Sequence, residues 1–161
     1  QDVSDFDTAS QVLLALSETV GARLREASVR CNSVTVELKD WRFTSQSHQC
    51  VLKSPTDSTS VLYDTACRLL KEFWDKTPVR LIGLRTSQIQ EDPFEQMSLF
   101  EDERQKKMRA MEKAVDHIRG RYGIDSVQRA SFLKENSPTP HAVSRKKHLN
   151  QASQHNTGKE F

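Results

Sequence analysis

Apolar positions along this chain repeat with two periods, and the switches between them mark out the elements. Val12, Leu13, Leu16, Val20 and Leu24 recur three or four apart with charged residues opposite, which predicts a helix over residues 7–27 capped by Asp7 or Thr8. The period then falls to two. Val34, Val36 and Leu38 alternate with Thr35, Glu37 and Lys39, the pattern of a half-buried strand over 33–41. A more polar strand is predicted over 44–52, close enough to make a hairpin. Ser54-Pro55-Thr56-Asp57 stops that strand and starts a helix over 58–76, with Leu62, Ala66, Leu69, Leu70 and Phe73 as its stripe and Pro78 as its end. A third strand is predicted over 79–89, with Ile82 and Leu84 on one face and Leu81, Gly83, Arg85 and Ser87 on the other.

Helix, strand, strand, helix, strand predicts a two-layer α+β domain: an antiparallel or mixed sheet with both helices on one face. The opposite face then carries Thr35, Lys39, Ser47 or His48, Arg85 and Ser87. Hydroxyls beside cations suit the close approach of a phosphate backbone. Ordinary strand polarity also produces alternating Ser and Thr, so the pattern alone leaves both readings open.

Beyond residue 90 the character changes. Gln96-Met97-Ser98-Leu99-Phe100 joins a polar hook to two adjacent large apolar residues, flanked by Glu91, Asp92 and Glu95 before and Glu101, Asp102 and Glu103 after. Pro93 works against a helix running through. An apolar anchor in acidic surroundings fits a groove on another protein, or else forms the opening staple of the next helix. Residues 101–121 are helical by pattern: Met108, Met111, Val115, Ile118 and Tyr122 form a narrow seam, and Gly123 is placed to end it. That seam docks on the domain, on another part of the protein or on a partner. From Ser137 the composition predicts a mobile tail. The units expected are therefore a domain over 1–90, a linker over 91–100, a helical extension over 101–133 and a tail over 134–161.

Composition narrows the function. Of 161 residues, 35% are hydrophobic and 29% charged, which suits one domain with appended polar segments. The net charge of +2 names no partner by itself. No apolar run is long enough to span a bilayer, and no membrane partner or secretory signal is expected. Cys31, Cys50 and Cys67 are far apart and read as free thiols in a reducing cytosol. The histidines show no metal-ligand spacing. Asp5-Phe6-Asp7 could hold Mg²⁺ as a carboxylate pair, but its place directly before a helix makes it a cap. With no nucleophile elbow, P-loop or Cys/His pair, the chain shows no catalytic residues, no metal site and no cofactor of its own.

Taken in order, Val34-Thr35-Val36-Glu37-Leu38-Lys39, Phe43-Thr44, Pro55-Thr56-Asp57 and Val79-Arg80-Leu81-Ile82-Gly83-Leu84-Arg85 resemble the little finger domain of Y-family DNA polymerases. Gln96-Met97-Ser98-Leu99-Phe100 is similar to that family's sliding-clamp-binding peptide. Arg119-Gly120-Arg121-Tyr122-Gly123 and Arg129-Ala130-Ser131 are similar to the C-terminal extension of the bacterial DinB/UmuC (ImpB/MucB/SamB) branch, especially its UV-resistance type. The resemblance covers about residues 1–133. It implies the C-terminal portion of a bacterial lesion-bypass polymerase, cytoplasmic and acting at the nucleoid. The Mg²⁺-binding carboxylates of such a parent would lie before Gln1, as would the first of the little finger's four strands. DNA-backbone contacts are implied at Lys39, Ser47, His48, Arg80, Arg85 and Ser87, and clamp contacts at Gln96, Met97, Ser98, Leu99 and Phe100. The family commonly has arginine at positions 48 and 50, where this chain has His48 and Cys50, which predicts a weaker phosphate grip there. DNA and a sliding clamp are the implied partners; the alternative is a protein-interaction or dimerising module without DNA affinity.

Overall fold

The computed structural model describes residues 2–91 and 103–133. The peptide 96–100 and the tail from 134 lie outside the described residues. Helix α1 (Phe6–Glu26) leads into strands β1 (Val29–Asp40) and β2 (Ser45–Thr56), helix α2 (Thr59–Phe73), strand β3 (Val79–Glu91) and helix α3 (Glu103–Tyr122), with two short 3₁₀ turns after it. All strand pairs are antiparallel and the order is β2-β1-β3. The α+β, two-layer expectation holds. Ala9, Leu13 and Leu24 of α1 and Leu62, Ala66, Leu69 and Leu70 of α2 pack on Val34, Val36 and Leu38 of the central strand. Each large side chain so buried contributes roughly 1.5–3 kcal/mol.

The element ends show what local chemistry adds to periodicity. Asp5, rather than Asp7 or Thr8, caps α1: its carboxylate accepts from the Thr8 N–H at 2.8 Å, and that bond lowers its pKa. Helix α2 ends at Phe73, well before Pro78, because Trp74 is already extended. The Trp74 indole N–H donates to the Thr77 carbonyl, and Asp75 accepts from the Thr77 N–H, so the connection makes its own turn. Strand β1 begins at Val29, four residues before the predicted start, and β2 continues to Thr56. Along β2, residues 52–55 lie opposite Asn32 alone, an enlarged bulge that accommodates Pro55 at the sheet edge.

Two features concern the outer edge of β3 and the helix that follows it. Val3 exchanges two backbone hydrogen bonds of 2.8 Å with Val79, a single bridge on the outer edge of β3. Helix α3 does dock on the domain, but through a charged ridge rather than the methionine seam. Arg109 pairs with Asp57, Glu112 and Asp116 pair with Arg25, and Arg119 pairs with Glu18, which also accepts from Arg129 at 2.6 Å. Met111, Ile118 and Tyr122 of the seam stay exposed. Gly123, at φ +100°, closes α3 by donating to the Arg119 carbonyl, as its position predicts.

Candidate nucleic-acid interface

Strand alternation decides which side chains can meet an outside surface. On β1, even-numbered residues from Val34 to Leu38 point into the helices, so Thr35, Glu37 and Lys39 point away. Register then fixes their neighbours. Thr35 lies between Gln49 and Arg85, Glu37 between Ser47 and Gly83, and Lys39 between Ser45 and Leu81; Ser33 lies between Val51 and Ser87. These four rows make a largely polar surface, with Val51 and Leu81 exposed within it, on the side of the sheet opposite α1 and α2. Gly83, at the centre, leaves the surface flat, since an added Cβ would rest 3.6 Å from that of Glu37.

Most of the sequence-named residues gather on or beside this face. Lys39, Ser47, Arg85 and Ser87 share it. Arg80 sits at its end, where a register shift between Lys39 and Asp40 lets β3 bulge; its guanidinium is 3.6 Å from Asp2 and lies over the Phe43 ring at 6.0 Å. His48 is not among them. It pairs with Val36, on the helix side, and its ring meets Phe73 edge-on at 5.1 Å. Of the two alternatives Ser47 and His48, the strand presents Ser47.

Sequence reasoning missed five members of the face: Ser33, Glu37, Ser45, Gln49 and Val51. Gln49 is anchored by its amide to Ser33 Oγ at 2.8 Å, and Ser33 in turn donates to the Cys50 carbonyl. Ser45 extends the hydroxyl row at the hairpin end. Glu37 is the unexpected one: its carboxylate accepts from Arg85 at 3.1 Å. Arg85 is 73% exposed, so this pair is worth at most about 1 kcal/mol, and another anion can replace Glu37 at little cost. The register of β3 on β1 carries the signal for this pair, and register is invisible without knowing the bulges.

The thiols lie on the far side. Cys31 is buried, and burial pushes its pKa up to about 11; Cys67 is raised for the same reason. The Asp5 carboxylate is committed to the Thr8 N–H as the cap of α1. Among the described residues, no group of His, Cys, Asp and Glu is arranged to hold a metal ion, and no helix is long and apolar enough to cross a membrane. A cleft of about 600 Å³ lies between α1 and α3, behind the helices and away from the open face.

The model of the impB/mucB/samB family C-terminal domain matches residues 1–99. The chain belongs to this family. Its relatives are polymerases, matched over part of their length. Among curated proteins it is 38% identical over 138 residues to "DNA polymerase IV 2" of Bacillus subtilis, covering 83% of this chain and 33% of that protein. It is 30% identical over 134 residues to "DNA polymerase IV" of Clostridium acetobutylicum (83% and 34%), and 32% identical over 135 residues to the protein of that name from Pelotomaculum thermopropionicum (83% and 33%). The chain thus spans about a third of the length of these relatives. All three matches are longer than the family model's, so the likeness to the polymerases runs on into the charged C-terminal extension.

Proposed function

We propose that this impB/mucB/samB C-terminal domain grips DNA through the open sheet face and tethers a lesion-bypass polymerase to a sliding clamp. The observation that carries the reading is the face itself: its outward residues include hydroxyls, an amide and cations, beside Glu37, Val51 and Leu81, and neither packed helix covers it. Lys39, Ser47, Arg80, Arg85 and Ser87 are its contacts, with Thr35, Ser45 and Gln49 between them. His48 drops out because it faces Phe73. Such a surface holds phosphates without reading bases, as a polymerase on distorted template requires. Grip of this kind is weak and salt-sensitive. A clamp tether through Gln96, Met97, Ser98, Leu99 and Phe100 would raise the local concentration of polymerase without adding DNA contacts. The nucleotidyl transfer itself, with its Mg²⁺, belongs to the remainder of such a polymerase, acting at the bacterial nucleoid.

Fluorescence anisotropy of a labelled primer-template, titrated at several salt concentrations, tests the DNA half. Affinity should fall steeply with salt; salt-independent binding, or none at millimolar protein, rejects it. For the tether, Gln96→Ala and the pair Leu99→Ala, Phe100→Ala should each abolish capture by a bacterial clamp. Clamp binding that survives both variants rejects that half. The second reading, a protein-interaction module, draws on the exposed Met111, Ile118 and Tyr122 of α3. A dimer in sedimentation that Met111→Asp and Ile118→Asp dissolve, together with no DNA affinity, would favour it.

A further inference from the structure

The tip of the β1–β2 hairpin holds three residues that the fold itself does not use. Trp41 is 53% exposed and Phe43 is 68% exposed, with Arg42 between them. Exposed aromatics on a mobile loop would mean little, but this tip is fixed. The Asp40 carboxylate accepts from the N–H groups of Arg42 and Thr44 at 2.8 and 2.9 Å. The Asp40 N–H donates to the Thr44 carbonyl, and the Phe43 N–H to the Asp40 carbonyl, both at 3.1 Å. Phe43 sits at φ +65°, a conformation that costs an L-residue with a bulky side chain about 1 kcal/mol or more. A strained turn that holds two rings in water needs a reason outside the domain's own stability.

The neighbouring charges say what the rings suit. The Arg42 guanidinium lies over the Trp41 ring at 4.8 Å, and that of Arg80 over the Phe43 ring at 6.0 Å. Each aromatic is thus coupled to a cation. Lys39 stands at the root of the same hairpin, on the open face beside Leu81. The nearby carboxylates are engaged: that of Asp40 by the turn, and that of Asp2 by Arg80. Cations that follow a backbone beside rings that take bases are the requirements of single-strand binding. The tip also continues the open face beyond the end of the strands.

We propose that Trp41, Arg42 and Phe43 form a stacking site for unpaired nucleotides of DNA, where a single strand leaves the duplex held by the sheet. This rests on the sheet-face reading for its class of partner. A base within blunt duplex is already stacked and offers these rings nothing. An overhang offers free faces, and stacking is tolerant of sequence.

The test uses the full 161-residue chain, which has two tryptophans, Trp41 and Trp74. The Trp74 indole is tied to the Thr77 carbonyl at 2.9 Å, so Trp74→Phe leaves Trp41 as the reporter. An oligothymidylate should quench this variant's fluorescence, and a blunt hairpin duplex should not. With Trp74 in place, Trp41→Ala should weaken the overhang-bearing primer-template and the oligothymidylate by about tenfold and leave the blunt duplex within twofold. Intact duplex binding with overhang affinity unchanged by Trp41→Ala overturns the stacking site alone. Reporter fluorescence that saturating oligothymidylate does not move, with duplex still bound, does the same. If the unmodified chain binds no DNA at all, the sheet-face reading falls and the stacking site falls with it.

Discussion

Glu112 of α3 should reveal whether the C-terminal extension is held by charge or by hydrogen bonds. Its side chain is 3% exposed and serves three neighbours. One oxygen accepts from the Thr59 N–H at 3.0 Å and from Ser58 Oγ at 3.4 Å, so it caps α2, whose own N-cap Ser58 makes no capping bond. The other lies 3.2 Å from Arg25. Arg25 keeps further partners: Asp116 at 2.5 Å and the Asp57 carbonyl at 2.8 Å. Glu112→Ala removes a cap worth about 1 kcal/mol and a charged hydrogen bond worth roughly 1.5 kcal/mol, a loss of about 2–3 kcal/mol. For a domain of this size that lowers Tm by roughly 8 °C. Glu112→Gln should behave differently. Burial pushes the Glu112 carboxyl above its ordinary pKa, while Arg25 and the N–H groups of Ser60 and Thr59 only partly pull it back. An acid whose folded-state pKa is raised binds its proton more tightly folded than unfolded. Its contribution is therefore complete below the ordinary carboxylate range and is lost as pH rises through the raised value. The parent and the Gln variant should have equal stability near pH 4, and the variant should gain on the parent as pH approaches 7. Urea melts followed by circular dichroism at both pH values make the comparison. If Gln is as damaging as Ala at pH 7, the ion pair outweighs desolvation and the argument is wrong. If Ala is harmless, α3 is not clasped where these contacts place it.

Two further predictions concern the sheet face and the helix packing. Glu37→Gln frees Arg85 from its intramolecular partner and removes a like charge from the phosphate path; primer-template affinity at low salt should rise several-fold, and an unchanged or weaker affinity would remove Arg85 from the interface. Gly21 lets α1 approach the start of α2, since a Cβ there would stand 2.7 Å from Thr59 Oγ1, which is itself buried. Gly21→Ala should lose about 1 kcal/mol in a urea melt, because overpacking of about 2 kcal/mol exceeds the gain in helix propensity of about 1 kcal/mol; a stabilised variant would show that α1 and α2 yield easily.

The elements were legible where burial imposed a period. Val34, Val36 and Leu38 could belong only to a strand with one buried face, and the stripes of α1 and α2 could belong only to helices. Strand β2 was harder. Ser47 and His48 are both polar, so nothing in their own chemistry says which turns outward; only the pairing of His48 with Val36 decides it. The docking of α3 was hidden for a different reason. A search for apolar periodicity finds Met108, Met111, Val115, Ile118 and Tyr122, whereas the ridge that meets the domain, at 109, 112, 116 and 119, is charged and lies about 100° around the helix. Its partners lie 52 to 101 residues earlier, and a lone Glu18 or Arg25 on α1 reads as an ordinary solvent-facing charge until α3 covers it. The capping of α2 by Glu112 is equally non-local, since the usual signal is a residue beside the helix start rather than 53 positions downstream.

The central claim is that phosphates lie along the open face, and the salt dependence of primer-template binding tests it most directly. The slope of log affinity against log salt should be measured for the chain as it is, for Lys39→Ala with Arg85→Ala, and for Lys71→Ala. Lys71 is a cation on the helix side that lies over the Phe6 ring at 4.8 Å. The sheet-face pair should flatten the slope by nearly 2, and the helix-side substitution should leave it unchanged. Slopes that are the same for all three proteins, or flattened equally by Lys71→Ala, would mean that DNA does not lie on this face.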